Sequence, residues 1–180
     1  MSLTQNLEEL LHSLEKLKPA KKFSVVVMPD FFLDRLVTYE GDVKNFSKAI
    51  DEVAKRKGGG IHGIKQLELR GGNAANTAAA LAALGAQVYP IIDTSPLGLH
   101  LLKFYLEPFE VDLSHVKTSG RMSLTTAIEL NHEGERVNIM MSDLGSLSEF
   151  SLDNLTPKDF QVLEEVDYVC IFNWAGTRRW

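Results

Sequence analysis

The sequence holds one cysteine, Cys170, so no intrachain disulfide can form, and a reducing compartment, the cytoplasm, is the default setting. Cys170 sits in the apolar run 168–172, where it reads as a small buried hydrophobe. No apolar stretch approaches the ~20 residues that a membrane helix needs, and the N-terminus lacks the basic-then-apolar order of a secretion signal. Positive charge is scarce. Nineteen Lys and Arg face 24 Asp and Glu, a net charge of -5, which argues against nucleic acid or an anionic membrane as partner. The short basic runs 16–22 and 55–57 read as solvated faces. The five histidines (12, 62, 100, 115 and 132) do not pair with another His, Cys or carboxylate at metal-ligand spacing, so no metal site is expected. A nucleophile elbow G-x-S-x-G is also missing; Gly145 and Ser146 are the nearest approach to one.

What is present is an ordinary globular composition, 44% apolar over 180 residues, enough for one domain with a core. Leu3, Leu7, Leu10, Leu11, Leu14 and Leu17 recur at helical spacing, with Ser2 and Gln5 as an expected capping box. Residues 23–28 are a β-branched apolar run, expected as a fully buried strand that Pro29 and Asp30 end. A strand over 34–39 and a helix over 45–57 follow, the helix stopped by Gly58, Gly59 and Gly60. Residues 66–70 alternate as a half-exposed strand, 73–84 are an Ala-rich helix closed by Gly85, and 88–92 read as a buried strand despite Pro90. A helix over 97–106 begins behind Ser95 and Pro96. Strands over 125–130 and 136–141 flank a turn at 131–134. Thr156 caps a helix over 157–165, and 168–172 is a last buried strand. The alternation of strand and helix predicts an α/β fold with a mostly parallel sheet. The half-exposed strands predict a second, smaller sheet open on one face.

Gly58, Gly60 and Gly63 formally match the dinucleotide fingerprint, but a helix precedes them and a strand follows, the reverse of what that motif needs. A Walker loop fails as well, since Lys65 follows no glycine and precedes no Ser or Thr. The informative segment runs Gly71, Gly72, Asn73, Ala74, Ala75, Asn76, Thr77 and on through alanines to Leu84 and Gly85. Two glycines at a strand-to-helix turn let backbone approach a ligand closely. The helix N-terminus that follows offers N–H donors. Asn73 and Asn76, three apart, share one face of the first turn, and their amides suit hydroxyl groups. The same residues equally fit a tight turn ahead of an Ala-rich packing helix, with Asn73 as a plain N-cap.

The segment 71–85 resembles the first signature of ribokinase-like (pfkB-type) carbohydrate kinases, through its glycines, asparagines, alanine-rich body and closing Leu84 and Gly85. Other stretches are similar in the same order: the first strand and the aspartate after it, matching Asp34; a threonine-alanine strand from Thr125 with the turn Gly134, Glu135, Arg136; and the later strand ending at Asn173. The resemblance covers the chain from Phe23 onward and leaves residues 1–22 as an N-terminal helical extension. It implies a ribokinase-like, Rossmann-type α/β domain over 23–180, with a β-sheet lid from strands near 34–39, 61–70 and 122–130. It implies transfer of the γ-phosphoryl group of ATP, with Mg²⁺, to a hydroxyl of a sugar or nucleoside. Asp34, Gly71, Gly72, Asn73, Asn76 and Asn173 would bind that substrate. The lid sheet could pair with a second copy in a homodimer.

One departure matters. The family's second signature, a glycine-rich anion hole leading into the catalytic aspartate, has no counterpart; the only Gly-Asp pair, Gly41 and Asp42, falls in the expected lid. The C-terminal half of the fold is therefore expected to be absent, with the base beyond the chain end and the chain alone inactive. The alternative is a binding or interaction module that has lost catalysis.

Overall fold

The structure, a computed structural model, describes residues 3–15 and 22–178. Its first half contains α1 (Leu3–Glu15), β1 (Ser24–Met28), β2 (Phe32–Asp42), α2 (Val43–Lys55), β3 (Lys65–Gly71) and α3 (Asn73–Ala83). The second half contains β4 (Gln87–Pro90), β5 (Ile92–Asp93), α4 (Pro96–Leu106), β6 (Val116–Lys117), β7 (Ser123–His132), β8 (Glu135–Asp143), α5 (Pro157–Glu165) and β9 (Tyr168–Ile171). Ser2, and with it the expected capping box, lies outside the described residues, as do 16–21 of the first basic run.

β1 is the centre of a parallel three-stranded sheet in the order β4-β1-β9. Val25, Val26 and Val27 are at most 1% exposed, because a parallel strand must be covered on both faces. On one face Val25 and Val27 meet Ala74 and Ala78 of α3, whose missing bulk lets the helix approach the sheet. On the other, Val26 and Met28 pack with Phe150 and with Val162 of α5.

Two expectations for this sheet need correction. The run 88–92 is not one strand. It breaks at Ile91, whose N–H still bonds the Val27 carbonyl at 3.0 Å, and β5 turns away to pair with β6. The run 168–172 is a strand but not a buried one: Tyr168, Val169 and Ile171 are 44–61% exposed. Among the described residues β9 is hydrogen-bonded only to β1, at the sheet edge, and Cys170 is only partly buried against the α3 cluster.

The second sheet, expected to be the smaller, has four strands to the other's three among the described residues, because the β7–β8 hairpin adds one at its edge; its order is β3-β2-β7-β8, with β2 and β7 parallel and the outer pairs antiparallel. The strands expected at 34–39, 66–70 and 125–130 lie in it, and the one expected at 136–141 joins it as β8. The β7–β8 hairpin turns on Glu133 and Gly134, both at positive φ, which matches strand twist in a two-residue turn. Tyr39 packs on Phe46 of α2 with ring centroids 5.0 Å apart, so α2 lies on one face. The opposite face carries Asp34, Leu67, Leu69 and Met140, placed together by their cross-strand register. Between α2 and β3, residues 58–63 form an irregular connection, the helix-then-strand context that the dinucleotide fingerprint lacks. No helix among the described residues is long and apolar enough to cross a membrane.

Candidate functional site

The carboxyl ends of β1 and β9, the start of α3 and the inner face of the second sheet meet at one cleft of about 420 Å³. Strand ends are where open α/β sheets collect ligands. Phe32, Asp34, Gly72, Asn73, Thr125, Met140, Ser142 and Asn173 are among its lining residues.

Asp34 lies on β2, opposite Leu69 of β3 and Thr125 of β7. Gly71 makes room for it: a Cβ there would collide with the Asp34 carboxylate. Burial pushes the Asp34 carboxyl above the usual carboxylate range, and a hydrogen bond from Thr125 partly offsets that rise. The Thr125 and Ser142 hydroxyls are 3.1 Å apart, so Asp34, Thr125 and Ser142 form one polar row across three strands. Gly72, at φ +90, passes so close to the turn after β1 that a Cβ would lie 2.8 Å from the Asp30 carbonyl oxygen and from the Phe31 Cα. Both glycines thus permit close approach, and the groups that approach belong to the protein itself.

Asp30 is the residue that the sequence did not single out. It is fully buried and accepts the Asn73 N–H at 2.7 Å, the Ala74 N–H at 2.9 Å and the Asn173 side-chain amide at 2.5 Å. Its backbone carbonyl takes the Ala75 N–H at 3.3 Å. The first turn of α3 is therefore capped by an aspartate 43 residues upstream, while Gly72 stands at the N-cap position with no side chain to offer. This corrects one expectation. The N–H donors of Asn73, Ala74 and Ala75 are spent on Asp30 and are not held out to a ligand. Asn73 is the first helical residue and not the cap.

Asn173 follows β9 in the left-handed region, at φ 48, a conformation that asparagine tolerates better than most residues. Its carbonyl oxygen accepts the Asn73 side-chain amide at 3.1 Å. The structure thus brings Asp34, Gly72, Asn73 and Asn173 into the cleft lining, with Gly71 beneath Asp34. It does not bring Asn76 there. The Asn76 carbonyl oxygen accepts from Arg70 Nε at 3.0 Å, and Arg70 also donates to the Tyr105 backbone carbonyl at 3.3 Å. Thr125 and Ser142 enter as further cleft residues, and alternation along their strands is the signal that places them on the Asp34 face.

The lining residues can both accept from and donate to hydroxyl groups. A carboxylate accepts only, amides go both ways, and serine or threonine hydroxyls rotate to suit. Phe32, Met140, Leu144 and Leu147 supply apolar walls. No Lys or Arg is among the lining residues, and no group of three or more His, Cys, Asp or Glu among the described residues could hold a metal ion.

No family model and no curated protein sequence matches the chain. Solved structures do. A carbohydrate kinase from Agrobacterium tumefaciens superposes with a TM-score of 0.60 at 20% identity, over 84% of this chain and 45% of its own. Ribokinase of Arabidopsis thaliana, solved with ribose and ATP, gives 0.59 at 17% identity, over 84% and 45%. Ribokinase of Cryptococcus neoformans var. grubii serotype A, solved with ADP, gives 0.58 at 17%, over 88% and 43%. The chain spans a little under half the length of these structures. Over that span it has the ribokinase-like fold of the carbohydrate kinases.

Proposed function

We propose that the cleft is the phosphoryl-acceptor site of a ribokinase-type kinase acting on a hydroxyl of a sugar or nucleoside. The observation that carries this reading is the convergence of Asp34, Asn73, Thr125, Ser142 and Asn173 on one cleft without a cation. Such a lining suits a neutral polyol and disfavours a phosphorylated or carboxylated acceptor. The ribokinases solved with ADP or ATP support a nucleotide as donor. The described residues do not fit Mg²⁺ and ATP, having no acidic cluster and no cation at the cleft. Phosphoryl transfer needs charge-neutralising groups around the phosphate, so this chain by itself is expected to bind the acceptor and not to phosphorylate it. The setting is the cytoplasm. The open face of the second sheet, where Leu67 and Met140 are 50% and 65% exposed, is proposed to pair with a second copy.

The test is calorimetry of the chain with D-ribose, D-glucose and adenosine. At least one should bind, and Asp34→Ala should weaken it roughly 10- to 100-fold, the worth of a hydrogen bond to a charged group at ~1.5–3 kcal/mol. Binding by none of them, or equal binding by Asp34→Ala, would overturn the reading.

A further inference from the structure

Asp30 touches no solvent, and one of its three side-chain bonds begins a directed relay. Its Oδ2 accepts from Asn173 Nδ2, and Asn173 Oδ1 in turn accepts from Asn73 Nδ2. An amide side chain has no intrinsic preference for which end faces which way; neighbours decide it. Asp30 also takes two backbone N–H groups of α3, so it is fixed from two sides as an acceptor. A fixed acceptor at this point leaves one orientation for Asn173, nitrogen inward. That orientation leaves one for Asn73, with one of its two N–H groups spent on Asn173 and its oxygen turned to accept. On the other side of Gly71 and Gly72, Asp34 also presents oxygen.

We propose that Asp30 is a positioning residue that sets the polarity of the cleft. By orienting Asn173 and through it Asn73, it makes the α3 side of the cleft accept hydrogen bonds, as the Asp34 side already does. The site then selects ligands that donate from neighbouring hydroxyls, such as vicinal diols, over ligands that present carbonyl or ether oxygens. The ligand part rests on the acceptor-site reading above; the relay itself does not.

Asp30→Ala removes the fixed acceptor outright, together with its two cap bonds to α3. Asn173 Nδ2 then has no carboxylate to face. The orientation of Asn173 is released, and that of Asn73 with it. In the ¹⁵N-labelled, ligand-free full chain, the side-chain NH₂ signals of Asn173 and Asn73, assigned by removing each in turn, should both move. The affinity for D-ribose or adenosine, whichever the wild type binds more tightly, should fall roughly tenfold, the effect of one misdirected hydrogen bond. Unmoved NH₂ signals in a folded Asp30→Ala would overturn the relay. Moved signals with unchanged affinity would overturn its role in selecting the ligand, while loss of binding in Asp34→Ala would still uphold the acceptor site. If the wild type binds neither probe, the acceptor-site reading falls with the ligand-selection claim, and the NH₂ signals alone decide the relay. Should Asp30→Ala fail to fold, Asn173→Ala leaves the α3 cap bonds in place and cuts the relay one step later. The Asn73 NH₂ signal must then move, and a signal that stays where it was refutes the proposal.

Discussion

In the parallel sheet, Val25, Val26 and Val27 are closed off from solvent between α3 and α5. In the four-stranded sheet, Leu67, Leu69 and Met140 remain 44–65% exposed, and the helix on its other face, α2, has no buried residue. The two sheets are held by different means. The first is stabilised by apolar burial on both faces. The second relies on long ladders, up to nine register pairs between β7 and β8, and on hydrogen bonds from one strand to the next. The cleft draws on both. Asp30, Asn73 and Asn173 are fixed at the closed sheet, and Asp34, Thr125 and Ser142 are displayed on the open one. A polar row of this kind adds little to a core, and its place on the open sheet agrees with the proposed role of that sheet in facing the ligand.

This contrast can be broken at the closed sheet first. Asp159, 1% exposed, opens α5 in a capping box with Thr156 and bonds His115 Nδ1 at 2.8 Å and Lys117 Nζ at 2.7 Å. Burial alone would raise its pKa, but the bonds from Lys117, Thr156 and His115 prevail and hold it at about 2. Asp159→Ala leaves those partners uncompensated and should cost ~3 kcal/mol or more of unfolding free energy by urea titration. Because its folded pKa is depressed, the contribution of Asp159 is present above the ordinary ~3.9 and is lost as pH falls through about 2. A loss below ~1 kcal/mol would mean that α5 does not depend on this buried cluster.

At the open sheet the expected effect is small. Leu67→Ser, on the exposed side of β3, should change stability by no more than ~0.5 kcal/mol. Its effect should appear in association instead: by sedimentation, the wild type should show a concentration-dependent dimer that the variant lacks. A large loss of stability in a monomer would show that this face is packed within one chain.

Most of the architecture was legible because local signals agreed with it. Thr156 caps α5 as expected, and Ser95, read only as lying before α4, is the cap of that helix. The glycines at 71 and 72 mark a close approach that the structure shows. What escaped was non-local. A Pro-Asp pair after an apolar run reads as a strand terminator, and nothing nearby reveals that Asp30 caps a helix 43 residues on and bonds an asparagine 143 residues on. Helical spacing placed Asn76 beside Asn73 correctly, but the guanidinium of Arg70 takes its carbonyl oxygen. The apolar run of β9 looks the same in a central strand as at an edge, since burial depends on neighbours that the run does not encode.

The central claim is that Asp34 binds the ligand as a carboxylate in a site that burial has made less favourable for charge. The pH dependence of affinity tests it most directly, using whichever of D-ribose, D-glucose and adenosine binds. Affinity should hold near neutral pH and fall on acidification. The midpoint should lie above the ~3.9 of an unperturbed aspartate, because the raised pKa of Asp34 lets it take up a proton early, and Asp34→Asn should abolish the dependence. A midpoint at or below that ordinary value, or an acid-side loss that persists in Asp34→Asn, would contradict it.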